Sequence, residues 1–241
     1  MAIARRKRSG MFGLVAALVG VLIISGAPMV KAAEPSTGGV LPPDAQPLGY
    51  SLRDMARKGA AFVAHGNDLA YYPHTRLQIL YTANFEPVFE PTGCDKPFTQ
   101  PCGVTFVGGN EFEVPQGTQF YVPVQSVDDS APVIGTFPGR DGAADYFFDS
   151  SQVGGEDYRV VVDGEATELG PEYLAGPIGV NRLYDGGGVN KIITLAAFVD
   201  ALPVGTHTVH IDGQLAGEDF TAATGWAHWA GDFTYQVTVT G

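Results

Sequence analysis

The sequence predicts an all-β protein, specifically a β-sandwich of the Ig-like or jelly-roll type with one N-terminal amphipathic helix. Residues after Gly66 divide into short runs rich in β-branched and aromatic side chains, and Gly, Pro, Asn and Asp separate those runs. Seven or so strands with such turns are typical of a sandwich. The chain shows no repeat of fixed period, which argues against a propeller or a solenoid. A closed β-barrel is the alternative architecture.

The first 32 residues have the pattern of a secretory signal peptide. Basic residues at positions 5–8 precede an uncharged apolar run over residues 11–26, and Val30-Lys31-Ala32 offers small residues to a signal peptidase. The apolar run is shorter than the about 20 residues that a spanning helix needs. We therefore predict cleavage after Ala32, a secreted protein in the periplasm or the medium, and no stable membrane span after cleavage.

Loss of residues 1–32 makes the protein strongly acidic. Five of the 14 basic residues and none of the 26 acidic residues lie in that segment, so nine basic residues remain and the formal charge becomes −17. Proteins hold nucleic acids through Lys and Arg contacts to phosphates. The charge therefore argues against a nucleic-acid partner and favours solubility.

One helix precedes the strands. Residues 33–48 are rich in Pro and Gly without periodicity, which predicts a flexible leader before a single domain over residues 49–241. In residues 50–66, Ser51 and Asp54 fit a capping box, apolar side chains recur at helical spacing, and Gly66 fits a left-handed stop. Gly59 is the exception, because glycine weakens a helix interior.

Seven candidate strands follow the helix, over residues 77–81, 104–107, 119–124, 158–162, 191–195, 206–211 and 233–240. The segment "YRVVVDGEATEL" predicts a strand that enters an Asp-Gly hairpin turn. The two cysteines, Cys94 and Cys102, lie close together in the mature chain. An oxidising compartment favours a disulfide bond between them, which would close one small loop.

The C-terminal third resembles a group of secreted bacterial β-sandwich proteins. Its segment "LPVGTHTVHIDG", followed by "DFTYQVTVTG", is similar to the closing strands of that group, a Pro-x-Gly-x-His-Thr strand before an Asp-x-Thr-Tyr strand. "CGVTFVGGNEFEVPQGTQFYVPV" resembles the group's central segment. The chain differs in its N-terminal helix, where Ala, Phe and Met replace tryptophans. The resemblance implies secretion and a β-fold, and it transfers no active site because the group is functionally uncharacterised.

Two histidines lie three residues apart in the segment "PVGTHTVHID". Side chains alternate along a strand, so His207 shares a face with Val209 and Ile211, while His210 shares the polar face with Asp212. The two imidazoles therefore point in opposite directions and do not chelate one metal ion. We predict a half-buried His207 whose ring nitrogens find partners nearby.

A second group of residues has the composition of a catalytic or metal site. His65 and His74 flank a predicted loop that contains Asp68, and two imidazoles with one carboxylate leave open coordination positions on a divalent metal. These three are the candidate catalytic residues. For His65, contact with the last carbonyl groups of the helix is the structural alternative.

Aspartates cluster in "VDDSAPVIGTFPGRDGAADYFFD". Calcium takes six to eight oxygen ligands, and a loop of this composition offers several, so calcium is the candidate cofactor although the EF-hand spacing is missing. Exposed, solvated aspartates are the alternative. The candidate calcium ligands are Asp128, Asp129, Asp141, Asp145 and Asp149.

Aromatic residues give the candidate ligand-binding site. "TGWAHWAGDFTY" places Trp226, His228 and Trp229 just before the last predicted strand, and "AYYPH" adds Tyr71 and Tyr72. Exposed rings bordered by hydrogen-bonding groups suit sugars, whose C–H faces stack on them. Packing of these rings in the core is the alternative.

Two functions are compatible with these patterns. The first is a non-catalytic, secreted β-sandwich that binds a glycan or another cell-envelope component through Trp226 and Trp229. The alternative is an extracellular hydrolase or lyase that uses His and carboxylate residues, with or without a metal. The local motifs of esterases, zinc proteases, kinases and dehydrogenases are absent from the sequence. An aromatic surface favours binding, and a cleft with paired His and carboxylate groups favours catalysis.

Overall fold

Two packed β-sheets make up most of the chain described by this computed structural model, which covers residues 38–66, 76–90, 102–181 and 189–241. The described strands are β1 (Leu77–Ile79), β2 (Asn84–Glu90), β3 (Cys102–Pro115), β4 (Gln119–Asp128), β5 (Gly155–Val162), β6 (Glu165–Glu168), β7 (Leu174–Asn181), β8 (Val189–Val199), β9 (Gly205–Leu215) and β10 (Trp226–Thr240). The described helices are α1 (Leu52–Ala64), α2 (Ala143–Phe148) and α3 (Glu218–Thr224), and 3-10 turns lie at Pro47–Gly49 and Pro171–Tyr173.

The four-stranded sheet has the order β1-β4-β8-β7, and the six-stranded sheet has the order β2-β3-β10-β9-β5-β6. The pairs β1–β4 and β3–β10 are parallel, and the other paired strands are antiparallel. The all-β sandwich prediction is confirmed. The described strands stay in two separate sheets, so the closed barrel is not the architecture of this chain.

The core lies between the two sheets. From the six-stranded sheet, alternate residues such as Val160, Ile211 and Val237 point inward and are buried. Phe120 and Val122 of β4 are fully buried as well. Burial of each such side chain contributes about 1.5–3 kcal/mol, so the alternating pattern stabilises the sandwich in this register.

Helix α1 covers the outer face of the four-stranded sheet. Its contacts are with β7, β8 and β4. Both faces of this sheet carry apolar side chains, as shown by the fully buried neighbours Phe120 and Tyr121, and a two-sided apolar sheet needs a cover on each face. The predicted ends of α1 are confirmed: Ser51 and Asp54 form the capping box, and Gly66 has a φ of 69°.

Two further segments join the fold. Part of the predicted leader packs on β8, because Val40 forms a bridge with Val199 and the Leu41 N–H donates to the Phe198 carbonyl at 2.8 Å. Residues 38–48 therefore belong to the sandwich. The predicted Asp-Gly turn joins β5 to β6, with positive φ at both Asp163 and Gly164. Within the described ranges, no helix is long and apolar enough to cross a membrane.

Candidate functional site

Five aromatic side chains lie at one end of the six-stranded sheet, on the face that also carries the core residues. They form what we call the aromatic strip: Phe85 and Phe89 of β2, Phe106 of β3, and Trp226 and Trp229 of β10. Ring centroids are 5.4 Å apart for Phe85 and Phe106, 5.5 Å for Phe106 and Trp229, and 5.8 Å for Phe89 and Trp226. These contacts form two groups, one of Phe85, Phe106 and Trp229 and one of Phe89 and Trp226. Phe89 and Trp229 both lie in register with Val104 of β3, so the two groups are neighbours on one face of the sheet.

The strip is open to solvent along β2. Phe85 is 58% exposed and Phe89 is 40% exposed, and every residue of β2 is exposed. Clustered exposed rings are uncommon on the surface of a soluble monomeric protein in general, and they indicate an interaction site. Pro87, which has no N–H, and the charge of Glu86 oppose the addition of another strand at this edge.

The sequence predicts both tryptophans in a segment just before the last strand. In the structure both lie within that strand, β10. A β-bulge between Trp226 and His228 shifts the register, so Trp226 and Trp229 share the inner face. His228 instead pairs with Gly103 on the outer face, where its imidazole occupies the space that a Cβ of residue 103 would need. His228 therefore does not share the face that carries the two tryptophans, and its predicted part in ligand binding stays a prediction.

A groove of about 660 Å³ adjoins the strip at Trp229. Its lining combines apolar residues, among them Leu215 and Phe220, with a polar part that we call the polar wall. The polar wall is formed by Gln125, Ser126, Asp128, Ser130 and Asn190. It is held by its own hydrogen bonds, because the Ser130 N–H donates to the Asp128 carboxylate at 2.7 Å and the Asn190 amide donates to the Ser130 hydroxyl at 2.9 Å.

The three phenylalanines of the strip were not predicted from the sequence. For Phe85 and Phe89 a signal is nonetheless visible in "NFEPVFE", where they alternate with Glu86 and Val88 in the period of a strand. Tyr71 and Tyr72, the other predicted aromatic residues, lie outside the described residues. Val88, which is 45% exposed, points to the opposite face of β2 and is not part of the strip.

The candidate calcium ligands do not come together. Asp149 accepts hydrogen bonds from the N–H and hydroxyl of Ser151, which lower its pKa, and Asp129 accepts from the Lys191 N–H at 2.8 Å. Asp141 precedes α2 and Asp145 lies in its first turn. In the part of the chain that the structure describes, no three His, Cys, Asp or Glu side chains are placed to hold a metal ion.

The candidate catalytic group is described only at His65. Its Nδ1 lies 2.7 Å from the Ala61 carbonyl oxygen in the last turn of α1, which confirms the structural alternative for this residue. Asp68 and His74 lie outside the described residues, and so does Cys94. Cys102 begins β3 and is buried, and its predicted disulfide bond to Cys94 stays a prediction.

The predicted orientations of the two neighbouring histidines are confirmed. His207 lies in register with Val237 on the inner side, where its Nδ1 is 2.7 Å from an Asp163 carboxylate oxygen and its Nε2 is 2.9 Å from the Pro203 carbonyl oxygen. His210 lies on the outer face, with Nε2 2.9 Å from the Asp212 carboxylate. Arg159 also contacts that carboxylate, through Nε at 2.7 Å and 2.9 Å from its two oxygens.

The His207–Asp163 pair is expected to make stability depend on pH. Burial opposes protonation of His207, but its hydrogen bonds to Asp163 and Pro203 outweigh burial and raise its pKa. Burial likewise opposes ionisation of Asp163, but hydrogen bonds from His207 and from the Thr208 N–H lower its pKa. The stabilisation from His207 is therefore complete below its unfolded pKa of about 6.5 and is lost as the pH rises through the raised pKa. The stabilisation from Asp163 is instead lost as the pH falls through the lowered pKa of its carboxyl group.

We expect His207→Gln to lower the free energy of unfolding more at about pH 6 than at about pH 9, by less than about 1 kcal/mol because the Asp163 carboxylate is half exposed. Urea unfolding of the wild type and the variant at both pH values measures the difference. An equal loss at the two pH values would show that the protonated imidazole of His207 does not stabilise the fold through its contact with Asp163.

Comparisons with known proteins assign no relative to this chain. No protein-family model matches the sequence, and no curated protein matches it significantly. The aromatic strip and its adjoining groove are thus the features from which a function is argued.

Proposed function

We propose that this is a secreted, non-catalytic β-sandwich that binds a glycan or another cell-envelope component through the aromatic strip. The observation that carries the proposal is the exposure of Phe85 and Phe89 in contact with Phe106 and Trp226. Folding leaves these rings open although burial of each would be favourable by about 1.5–3 kcal/mol. A ligand that covers them recovers that free energy.

The chemistry around the strip suits a sugar. Aromatic rings offer flat apolar faces for the C–H groups of a pyranose, and tyrosine and tryptophan rings serve such amphipathic contacts in many interfaces. Hydroxyl groups of the same ligand would reach the polar wall of the groove beside Trp229, where Gln125, Ser130 and Asn190 offer donors and acceptors. An apolar surface with a few polar groups is typical of ligand sites.

The charge near the site supports a neutral ligand. Glu86 and Glu90 lie on β2 and Asp128 lies in the groove, whereas no Lys or Arg among the described residues belongs to the strip or lines the groove. Like charges close together disfavour binding. We therefore favour an uncharged glycan over a uronic acid polymer or a sulfated one.

Secretion rests on the signal-peptide pattern of residues 1–32, and the Cys94–Cys102 disulfide is proposed with it. The burial of Cys102 at the start of β3, next to the strip, supports the proposed bond because a buried cysteine is protected from exchange with external thiols.

Tryptophan fluorescence tests the proposed function directly. The chain contains two tryptophans, and both belong to the strip, so all tryptophan emission reports on it. We expect a neutral oligosaccharide from the cell envelope to change the emission in a saturable way, because stacking removes water from the indole rings. An oligouronate of the same length is the control and should produce a much smaller change. A set of envelope glycans that leaves the emission unchanged would contradict the proposal.

The same samples test the hydrolase alternative. Besides the predicted His65, Asp68 and His74, the described residues offer His210 for that alternative, because it lies between the Asp212 carboxylate and the Thr234 hydroxyl, at 2.9 and 3.1 Å. A histidine held by a carboxylate beside a hydroxyl is the arrangement of an activated nucleophile. Cleavage of the oligosaccharide by the wild type, abolished in His210→Ala, would replace binding with hydrolysis as the function.

A further inference from the structure

A cavity of about 170 Å³ lies between helix α1 and the outer face of the four-stranded sheet. The helix contributes three small residues to its wall, Ala56, Gly59 and Ala60, and the sheet contributes Tyr121 and Ile192. The lining is predominantly apolar. This cavity is separate from the aromatic strip, which lies on the other sheet.

Tyr121 gives the cavity wall one unsatisfied polar group. Its side chain is fully buried, and its hydroxyl has no hydrogen-bond partner among the residues that the structure describes. Two other hydroxyls on the wall, those of Ser126 and Thr194, bond each other at 3.0 Å. Burial holds the pKa of Tyr121 far above its usual value, so the hydroxyl keeps its proton and can donate. A buried donor without an acceptor opposes folding unless something else supplies the acceptor.

The small residues of α1 keep this space open. Gly59 lies inside the helix, where glycine is less favourable than alanine. A Cβ at residue 59 would lie 3.4 Å from a ring carbon of Tyr121, which is already van der Waals contact, so a larger side chain would enter the cavity or press on the ring. The glycine that interrupts the helical pattern in the sequence thus lies directly against the Tyr121 ring.

We propose that this cavity binds a small, mainly apolar molecule with one hydrogen-bond acceptor, of the size and character of phenol, whose oxygen accepts from the Tyr121 hydroxyl. The volume supports a ligand of one ring, since a dry cavity of about 150 Å³ in another protein binds benzene. Asp128 and the paired hydroxyls of Ser126 and Thr194 also line the wall, so an ordered water is the occupant that such a molecule would displace.

Phenol and toluene are matched probes for this site, because they have similar size and differ in the oxygen. Their binding to the folded, mature protein is measured by chemical shifts of the Ala56, Ala60 and Ile192 methyl groups and by thermal stabilisation. We expect both probes to bind, and phenol to bind about tenfold more tightly than toluene. In Tyr121→Phe we expect toluene to bind as before and the preference for phenol to disappear.

Two variants of α1 locate the bound probe. Ala60→Leu should fill the cavity and abolish binding of both probes, whereas Ala61→Leu, on the next residue and not on the cavity wall, should leave both affinities unchanged. The proposal is overturned if neither probe shifts the cavity methyl groups, or if the preference for phenol survives in Tyr121→Phe. Because Tyr121→Phe removes only an unpaired hydroxyl, it is expected to fold, and it keeps the test decisive if Ala60→Leu does not fold.

Discussion

Gly213→Ala is expected to lower the free energy of unfolding by about 4 kcal/mol, the combined cost of backbone strain and overpacking. Gly213 has a φ of 150°, a conformation that other residues rarely adopt. A Cβ there would also overlap the ring of Tyr158, which is buried between the sheets and packs on Phe147 with centroids 5.8 Å apart. Urea unfolding followed by circular dichroism measures the loss.

Two other glycines separate the strain from the overlap. Gly164→Ala introduces a side chain at a φ of 90° with no heavy atom within 4 Å, so it should show backbone strain alone, about 1–2 kcal/mol. Gly139→Ala meets no neighbour and has no positive φ, so it should change stability by less than about 0.5 kcal/mol. A loss in Gly213→Ala no larger than that in Gly164→Ala would contradict the packing of Tyr158 against this glycine.

The double variant Phe89→Ala, Trp226→Ala is expected to weaken glycan binding by at least about 100-fold, the effect of losing two aromatic contacts of about 1.4 kcal/mol or more each. The two rings stack on each other with planes 20° apart and lie at the open end of the strip. Titration calorimetry with the oligosaccharide that gives the largest fluorescence change measures the loss, because it does not depend on the removed tryptophan.

Val88→Ala is the matched control for this binding experiment. Val88 precedes Phe89 in β2 and is as exposed, but it points to the other face of the sheet. Its replacement should leave the affinity within about twofold of the wild type. A loss in Val88→Ala equal to that in the double variant would assign binding to the edge of β2 and not to the ring face of the strip.

Much of the fold could be predicted from local patterns, and the strands that were missed share a cause. A proline in the sequence argues against a strand, and β2 contains Pro87 while β7 contains Pro177. Both strands lie at sheet edges, where proline is tolerated because one side needs no N–H donors. The helices α2 and α3 were missed because they are short and have no side-chain cap at their first residue.

Glycines misled the prediction of strand length. Gly108 and Gly109 follow the predicted strand at 104–107 and indicate a turn, yet β3 continues through them. Their missing Cβ atoms leave space for the carbonyl oxygens of Asn84 on β2 and Thr234 on β10. Only the neighbouring strands, far away in sequence, reveal that these glycines permit close backbone approach.

The candidate site was predicted in part. Trp226 and Trp229 are conspicuous in sequence, but simple alternation would place Trp226 with His228 and Trp229 on the opposite face. The β-bulge reverses this arrangement, and no local residue pattern announces it. The contribution of Phe85 depends on the pairing of β2 with β3, a tertiary contact that one-dimensional patterns do not contain.

The position of β10 has a consequence for how the protein reaches its native state. β10 lies between β3 and β9 but follows both in the chain, so the six-stranded sheet cannot form in sequence order. Until β10 inserts, β2–β3 and β9–β5–β6 are separate units, each with an open edge that another molecule can pair with. Pairing between distant segments is slow. Recovery of this protein from the unfolded state should therefore be limited by aggregation, and it should fall as protein concentration rises even where the native state is stable.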